Sequence, residues 1–260
     1  MKLRTKRKLA AAMILALLIG TAFGSTIAKI VEEVTFYWFD HTETELRVKA
    51  FAEENDVFYA DYPESLIELL ERNPETEAFV LGYPLYRAEA YDLSEFENAD
   101  AVPLFLQWDQ RWGYEIYGSD MVAITGCGPT CLAMAGYALT GEDRFDPAAV
   151  AVFAEENGYY VEGSGSSWTL ISEGSGKLGL TATELPLDEN RMKHALENGN
   201  PVILAMGPGD FTSSGHYIVL TGVVEGKFAV NDPNSRGNSG KFWSYDEIAG
   251  QIRNIWAIGK

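Results

Sequence analysis

Apolar residues in this chain fall into runs of three kinds. The first is an unbroken block, residues 9–24, flush against Lys2, Arg4, Lys6, Arg7 and Lys8. The second is spaced for helices. Leu66, Leu69 and Leu70 share one face of a helix that Asp61 can cap, that suits Pro63 in its first turn and that Asn73-Pro74 stops. Residues 130–139 are apolar nearly all round, the mark of a buried helix. A charged helix covers 42–54, and Asp146-Pro147 starts one that Asn157-Gly158 ends. Ser166 or Ser167 caps a helix from Trp168 towards Lys177, Asp188 caps one ending near Asn198-Gly199, and residues 245–252 make a last short one. The third kind is the short strand-like run, at 102–106, 201–206, 216–224, 228–231 and 255–258. Phe79-Val80-Leu81 reads as a strand or an apolar anchor, and Glu225-Gly226 as a hairpin turn. Helices first and antiparallel strands later predict an α+β fold with segregated layers.

The first block sets the compartment. A basic stretch followed by an apolar run has the layout of a secretory signal. Sixteen residues, 9–24, give about 24 Å of helix, and continuing to Ala28 gives about 30 Å, enough to span a bilayer. Ala22-Phe23-Gly24 offers a small-x-small cleavage site. Residues 1–28 are therefore either a cleaved signal peptide or a retained anchor. No cysteine follows the run, which excludes a lipoprotein. Either way the basic end stays inside, and the rest is expected to be secreted or held on the outer face of the cytoplasmic membrane. Membrane contact is expected through this segment only.

The net charge is −18. Five of the 20 basic residues lie in the first eight positions, so the rest holds 15 basic against 38 acidic residues, a net −23. A body this acidic repels nucleic acid and anionic lipid. Residues 29–100 form an acidic, mainly helical region, with 19 Asp or Glu against four Lys or Arg between 32 and 100. It reads as a packing or spacing element, with a linker at 91–101. From Val102 the composition turns aromatic and glycine-rich, and residues 101–260 read as the domain that carries chemistry. Only two cysteines occur, Cys127 and Cys131, four apart on one helix face and poorly placed for a disulfide, so two free thiols are expected. No cluster has zinc-ligand spacing, and the loop 231–239 lacks calcium-loop spacing. No metal or cofactor is expected.

The chemistry centres on Gly126-Cys127-Gly128-Pro129-Thr130-Cys131. Cys127 stands where a glycine-flanked loop enters the apolar helix. There the helix's positive end and a neighbouring imidazolium favour the thiolate. Gly126 and Gly128 leave room for a substrate carbonyl, and Pro129 suits the first turn. Cys131, one turn further in, reads as a small core hydrophobe. His216 opens an apolar strand and is the candidate base. His41 and His194 sit among charged residues and are expected to be exposed. Asp232, at the end of the next strand, is the candidate to orient the imidazole. Asn231 competes with it, because a shift of one residue changes the strand face. Gln107 is the candidate oxyanion donor, with the Cys127 N–H. Trp108, Trp112, Trp168 and Trp243 are candidates for a substrate groove or for packing.

Together, Val-Pro-Leu-Phe-Leu-Gln-Trp-Asp from Val102, Gly-Cys-Gly-Pro-Thr-Cys-Leu-Ala-Met, Gly-Asn-Pro-Val-Ile, Gly-His-Tyr-Ile-Val-Leu and Val-Asn-Asp-Pro resemble the family 39-like cysteine peptidases of the papain superfamily, kin of the bacteriocin-processing double-glycine peptidases. The resemblance covers roughly residues 101–260. It implies a papain-like fold with the cysteine on a helical part and the histidine and aspartate on an antiparallel sheet. It also implies a nucleophile at Cys127, a base at His216, an orienting carboxylate at Asp232 and an oxyanion glutamine at Gln107. The leader-processing relatives place the glutamine close before the cysteine, whereas Gln107 stands twenty positions before it. They are usually fused to an export transporter, and these 260 residues contain no such domain, so the leader-peptide substrate does not carry over. The segment Tyr62-Pro63-Glu64-Ser65-Leu66 resembles that of secreted stand-alone relatives.

The expectation is an extracytoplasmic thiol hydrolase of peptide or amide bonds. The rivals are a hydrolase of cell-wall peptides, a catalytically silent binding module and an acyl transferase using the same residues.

Overall fold

The computed structural model describes residues 24–36, 38–96 and 101–260. Residues 1–23, most of the segment read as a signal or anchor, lie outside them. Among the described residues no helix is long and apolar enough to cross a membrane. The chain divides into two compact units, one up to Tyr86 and one from Arg87 to Lys260.

The first unit is helical: α1 (Gly24–Phe36), α2 (Glu43–Glu54), α3 (Glu64–Arg72) and α4 (Glu77–Gly82). Thr42 and Glu45 close α2 with reciprocal side-chain bonds to backbone N–H groups. Leu66, Ile67, Leu69 and Leu70 give α3 its buried face. Three sequence readings change here. Pro63, not Asp61, is the cap residue of α3; Asp61 belongs to a preceding 3₁₀ turn, where its carboxylate faces the Phe58 N–H. Residues 79–81 are helical within α4, so the run is an apolar anchor and not a strand. His41 is not exposed: its ring stacks on Phe36 at 3.6 Å and its Nδ1 meets Glu45 at 3.1 Å. An aromatic partner and a carboxylate one turn away hold it down.

The second unit is built on a six-stranded sheet: β1 (Thr181–Glu184), β2 (Val202–Met206), β3 (His216–Val224), β4 (Lys227–Asn231), β5 (Phe242–Trp243) and β6 (Ile252–Gly259). The spatial order is β1-β6-β2-β3-β4-β5, with every pair antiparallel. Alternate residues feed two cores. Ile203, Ala205, Tyr217, Val219, Trp256 and Ile258 pack with α5 (Cys127–Thr140) and α6 (Pro147–Glu156). Val202, Leu204, Met206, Ile218 and Leu220 pack with Met192 and Ala195 of α7 (Glu189–Glu197). Every residue of β2 is buried, so that strand reads as an unbroken apolar run. Residues 128–137 of α5 are all buried, as its all-round apolarity predicts. The fold is therefore α+β, with a helical layer against an antiparallel sheet.

The expected caps hold at Asp146 and Asp188, each accepting from a backbone N–H three residues on. Glu225 and Gly226 both have positive φ, 50° and 80°, the geometry of a two-residue hairpin turn. Elsewhere the structure differs. Residues 102–106 form no strand. Their neighbour is the Asn231 side chain, which donates to the Val102 and Pro103 carbonyls in place of a ladder. Pro103 has no N–H to give a ladder in any case. Within 91–101, read as a linker, Leu93 is buried in the second unit's core and Tyr91 donates to Asp146. Ser167, and not Ser166, accepts from the Thr169 N–H, and the helix after it winds as a π-helix over Leu170–Gly174. The Ser166 hydroxyl is engaged with Tyr117. The last helix ends at Ile248 with a 3₁₀ turn to Gln251, and β6 starts at Ile252, three residues before the expected strand. Strands β1 and β5 went unread, since Thr-Ala-Thr-Glu carries little apolar signal and β5 is only two residues long.

Candidate active site

Cys127 is the first residue of α5, with Gly126 as its N-cap. No side chain caps this end, so the thiol stands at the uncapped positive end of a 14-residue helix. The Thr130 hydroxyl closes the turn onto the Gly126 carbonyl at 2.8 Å. Gly128 is there for space: a Cβ at that position would lie 2.6 Å from Ser166 Oγ. Cys127 is partly buried, whereas Cys131 is fully buried and both thiols are free. Burial pushes the Cys131 thiol well up, as befits a core residue.

His216 opens β3 and faces Asp232 just past the end of β4. Its Nε2 lies 2.7 Å from Asp232 Oδ1. The hairpin register creates this pairing. Near the turn Val224 pairs Lys227, but a bulge between Leu220 and Gly222 shifts the register so that Val219 pairs Asn231. Continued by one residue, the shifted register sets Asp232 opposite Ile218, two residues from His216 and within diagonal reach. Asn231 is committed elsewhere, to the Val102 and Pro103 carbonyls. Of the two candidates left open by the sequence, Asp232 is the one that meets the imidazole.

Asp232 is 1% exposed and fully engaged. Its Oδ1 also accepts from the Asn234 N–H at 2.9 Å, and its Oδ2 accepts from Asn238 Nδ2 at 2.8 Å. Its own N–H donates to Ser239 Oγ. Asn238 was not singled out from the sequence. Its only signal was a place six residues after the aspartate in a polar loop. Trp243 anchors that loop by donating to the Asn238 carbonyl at 3.1 Å.

Cys127 and His216 border the same cavity. Burial alone would lower the affinity of His216 for its proton. The charge and hydrogen bond of Asp232, followed by those of Cys127, outweigh burial and raise the imidazole to about 10. The raised value favours a protonated imidazole beside the carboxylate. Two phenols stand nearby. Tyr117 pairs with Ser166 Oγ at 2.8 Å, and Tyr217 donates to the Ser166 carbonyl at 3.2 Å. Burial, reinforced by the charge of Cys127, raises both phenols, Tyr117 to about 12, so both stay protonated.

Gln107 is buried, not at the surface. Its backbone N–H donates to the Pro233 carbonyl at 2.7 Å, beside Asp232. Its Nε2 donates to the Ala123 carbonyl at 2.7 Å, four residues before the cysteine. Its Oε1 has no hydrogen-bond partner among the described residues.

Cys127 and His216 border a cavity of about 290 Å³, together with Ser166, Trp168, Met206, Pro208 and Arg253. Trp168, 49% exposed, is the tryptophan at its rim. Trp108, Trp112 and Trp243 are buried packing residues. Among the described residues no group of three His, Cys, Asp or Glu side chains is placed to hold a metal ion.

A thiol on a helix packed against an antiparallel sheet that presents an imidazole and a carboxylate is the papain-like arrangement. Solved structures that resemble the chain include two peptidase domains. The peptidase domain of Streptococcus ComA, a bi-functional ABC transporter involved in a quorum-sensing pathway, is 20% identical, covers 60% of this chain and 96% of its own, and gives a TM-score of 0.42. A C39-like peptidase from Bacillus anthracis is 17% identical, covers 66% of this chain and 98% of its own, and gives 0.37. Among curated proteins none matches the chain. The Peptidase_C39 like family model matches residues 99–259, which takes in Cys127, His216, Asp232 and Gln107 and more than half of the sequence, and on that match the chain belongs to the Peptidase_C39 like family.

Proposed function

We propose that this protein hydrolyses peptide bonds outside the cytoplasm by acyl transfer through Cys127. Membership of the family supports a papain-like peptidase acting on peptide or protein. The finer reading rests on one observation: His216, bonded to Asp232 at 2.7 Å, borders the same cavity as Cys127. The sulfur of Cys127 attacks the scissile carbonyl carbon. The carbonyl oxygen takes up the negative charge, and the Cys127 N–H and the second Nε2 hydrogen of Gln107 are its donors. His216 gives its proton to the leaving amine as the C–N bond breaks, leaving a thioester. Water then attacks the thioester while His216 takes its proton, and the acid product leaves as the sulfur is regenerated. Asp232 fixes the ring and stabilises its charged form throughout.

The extracytoplasmic site of action is supported by the basic residues 2–8 followed by the apolar run 9–24. The test of the chemistry is hydrolysis of casein and of purified peptidoglycan by the wild-type chain and by Cys127→Ala. Loss of cleavage in the variant supports the assignment, and retained cleavage refutes it. Which of the two substrates is cleaved decides between protein and cell-wall peptide.

A further inference from the structure

The cavity carries one feature that the thiol chemistry does not use. Arg253 borders it, and no Asp or Glu does. In a chain with 38 acidic residues this is an unusual vacancy. Elsewhere in the same unit Arg111, Arg144 and Lys193 each hold a carboxylate. Arg253 holds none among the described residues. Its Nη1 donates to the Gly250 and Ile252 carbonyls, at 3.2 Å each. Those two bonds fix one edge of the guanidinium and leave its other donors uncommitted.

The backbone is shaped around this side chain. Strand β6 pairs Ile252 with Met206 and Asn254 with Ala205, so Arg253 is the extra residue of a bulge. Bulges re-aim a side chain, and they are common next to active sites. Met206 also pairs with His216 on its other side, so the bulge sits one strand from the imidazole. Gly207 completes the arrangement. A Cβ there would come within 2.4 Å of Arg253 Nε and 2.6 Å of Cζ and Nη2, so the guanidinium lies where only a glycine leaves room.

We propose that Arg253 selects substrates bearing a carboxylate, an inference resting on the hydrolase reading of the same cleft. A fixed planar guanidinium with free N–H groups suits a carboxylate acceptor better than a lysine does. Arg253 is exposed at the cavity's border; the acidic body opposes such a substrate at long range, but that field is screened within about 10 Å, and a direct contact acts at shorter range. The carboxylate belongs either to an Asp or Glu side chain or to the peptide's C-terminus.

The test measures binding to the full chain carrying Cys127→Ala, by fluorescence anisotropy, and so does not depend on turnover. The probes are labelled Ala/Gly hexapeptides with Glu or Gln at each position in turn, each made as the C-terminal acid and amide. A carboxylate member is expected to bind about tenfold more tightly than its uncharged twin. Adding Arg253→Gln should reduce that ratio to about twofold or less, and Arg253→Glu should invert it in favour of the uncharged twin. Gly207→Ala, which keeps the charge but displaces the guanidinium, should also lower it. Dependence on Glu at one position identifies a side-chain carboxylate; dependence on acid against amide identifies the terminus. Equal affinities, no binding of any probe, or a preference indifferent to Arg253 would overturn the proposal. Wild-type cleavage of the same peptides without charge preference would remove this proposal alone. Selective binding with no wild-type cleavage of these peptides, of casein or of peptidoglycan would instead remove the hydrolase reading.

Discussion

His216 Nε2 lies 2.7 Å from Asp232 Oδ1, and that carboxylate is sealed from solvent at 1% exposure. A buried carboxylate facing a buried imidazole is stable only if the imidazole carries its proton or donates a hydrogen bond. Replacing Asp232 by Asn keeps the volume and removes the charge. The expected loss in kcat/KM is about 10²- to 10⁴-fold. Without the carboxylate, burial acts on His216 with less opposition, so the ring loses its proton at lower pH. The alkaline limb of the kcat/KM profile should move down in pH. A limb that stays in place contradicts the assignment of Asp232.

The same pair makes stability depend on pH. The folded-state value of His216 is raised from 6.5 to about 10, so the folded protein binds the extra proton throughout that window. Its contribution is complete below about 6.5 and is lost as the pH rises through about 10. Urea denaturation at pH 6 and pH 9.5 should show wild type losing more stability than His216→Gln does. An equal loss in the two proteins contradicts the raised value.

Asn238 holds the far oxygen of Asp232 at 2.8 Å. It does not border the cavity, so its expected role is positioning. Asn238→Ala should lower kcat by about tenfold with little change in KM, since it loosens one charge-assisted bond. Asn238→Asp should do more harm than Asn238→Ala, because it sets a second carboxylate against the first. The order of the two variants, read from steady-state kinetics, checks this.

In α5, Gly136 faces Phe145: a Cβ there would lie 2.1 Å from the ring. Glycine to alanine inside a helix ordinarily adds up to about 1 kcal/mol. Here the clash with a fully buried ring should outweigh that gain. Gly136→Ala should destabilise the unit by about 1–3 kcal/mol in denaturant titration. A rise in stability contradicts the packing described.

The sequence made some of this plain and concealed the rest. Long apolar elements with clean punctuation were legible: α5, α6, α7, β2 and the β3–β4 hairpin fall within a residue or a few of their expected bounds. Cys127, His216 and Asp232 were legible as candidates because each stands beside a glycine or proline at an element's end. The choice between Asp232 and Asn231 was not legible, because it turns on the bulge near Leu220, and a bulge has no fixed sequence mark. Edge strand β1 was missed because its residues are mostly exposed and polar. The π-helical turn and the burial of Gln107 depend on tertiary partners, among them the Pro233 and Ala123 carbonyls, far apart along the chain. Asn238 and Arg253 carry no sequence signal of their own; the fold sets Asn238 beside Asp232 and Arg253, an exposed residue, at the border of the cavity.

The central claim is that Cys127 and His216 act as one reactive couple. Alkylation of the native full chain by iodoacetamide at pH 6, followed by mass spectrometry of the labelled peptides, tests it most directly. The account predicts that Cys127 is modified at least about tenfold faster than free cysteine. It also predicts that His216→Ala removes the advantage and that Cys131 reacts only after denaturation. Modification of Cys127 no faster than free cysteine, or equally fast without His216, would contradict it.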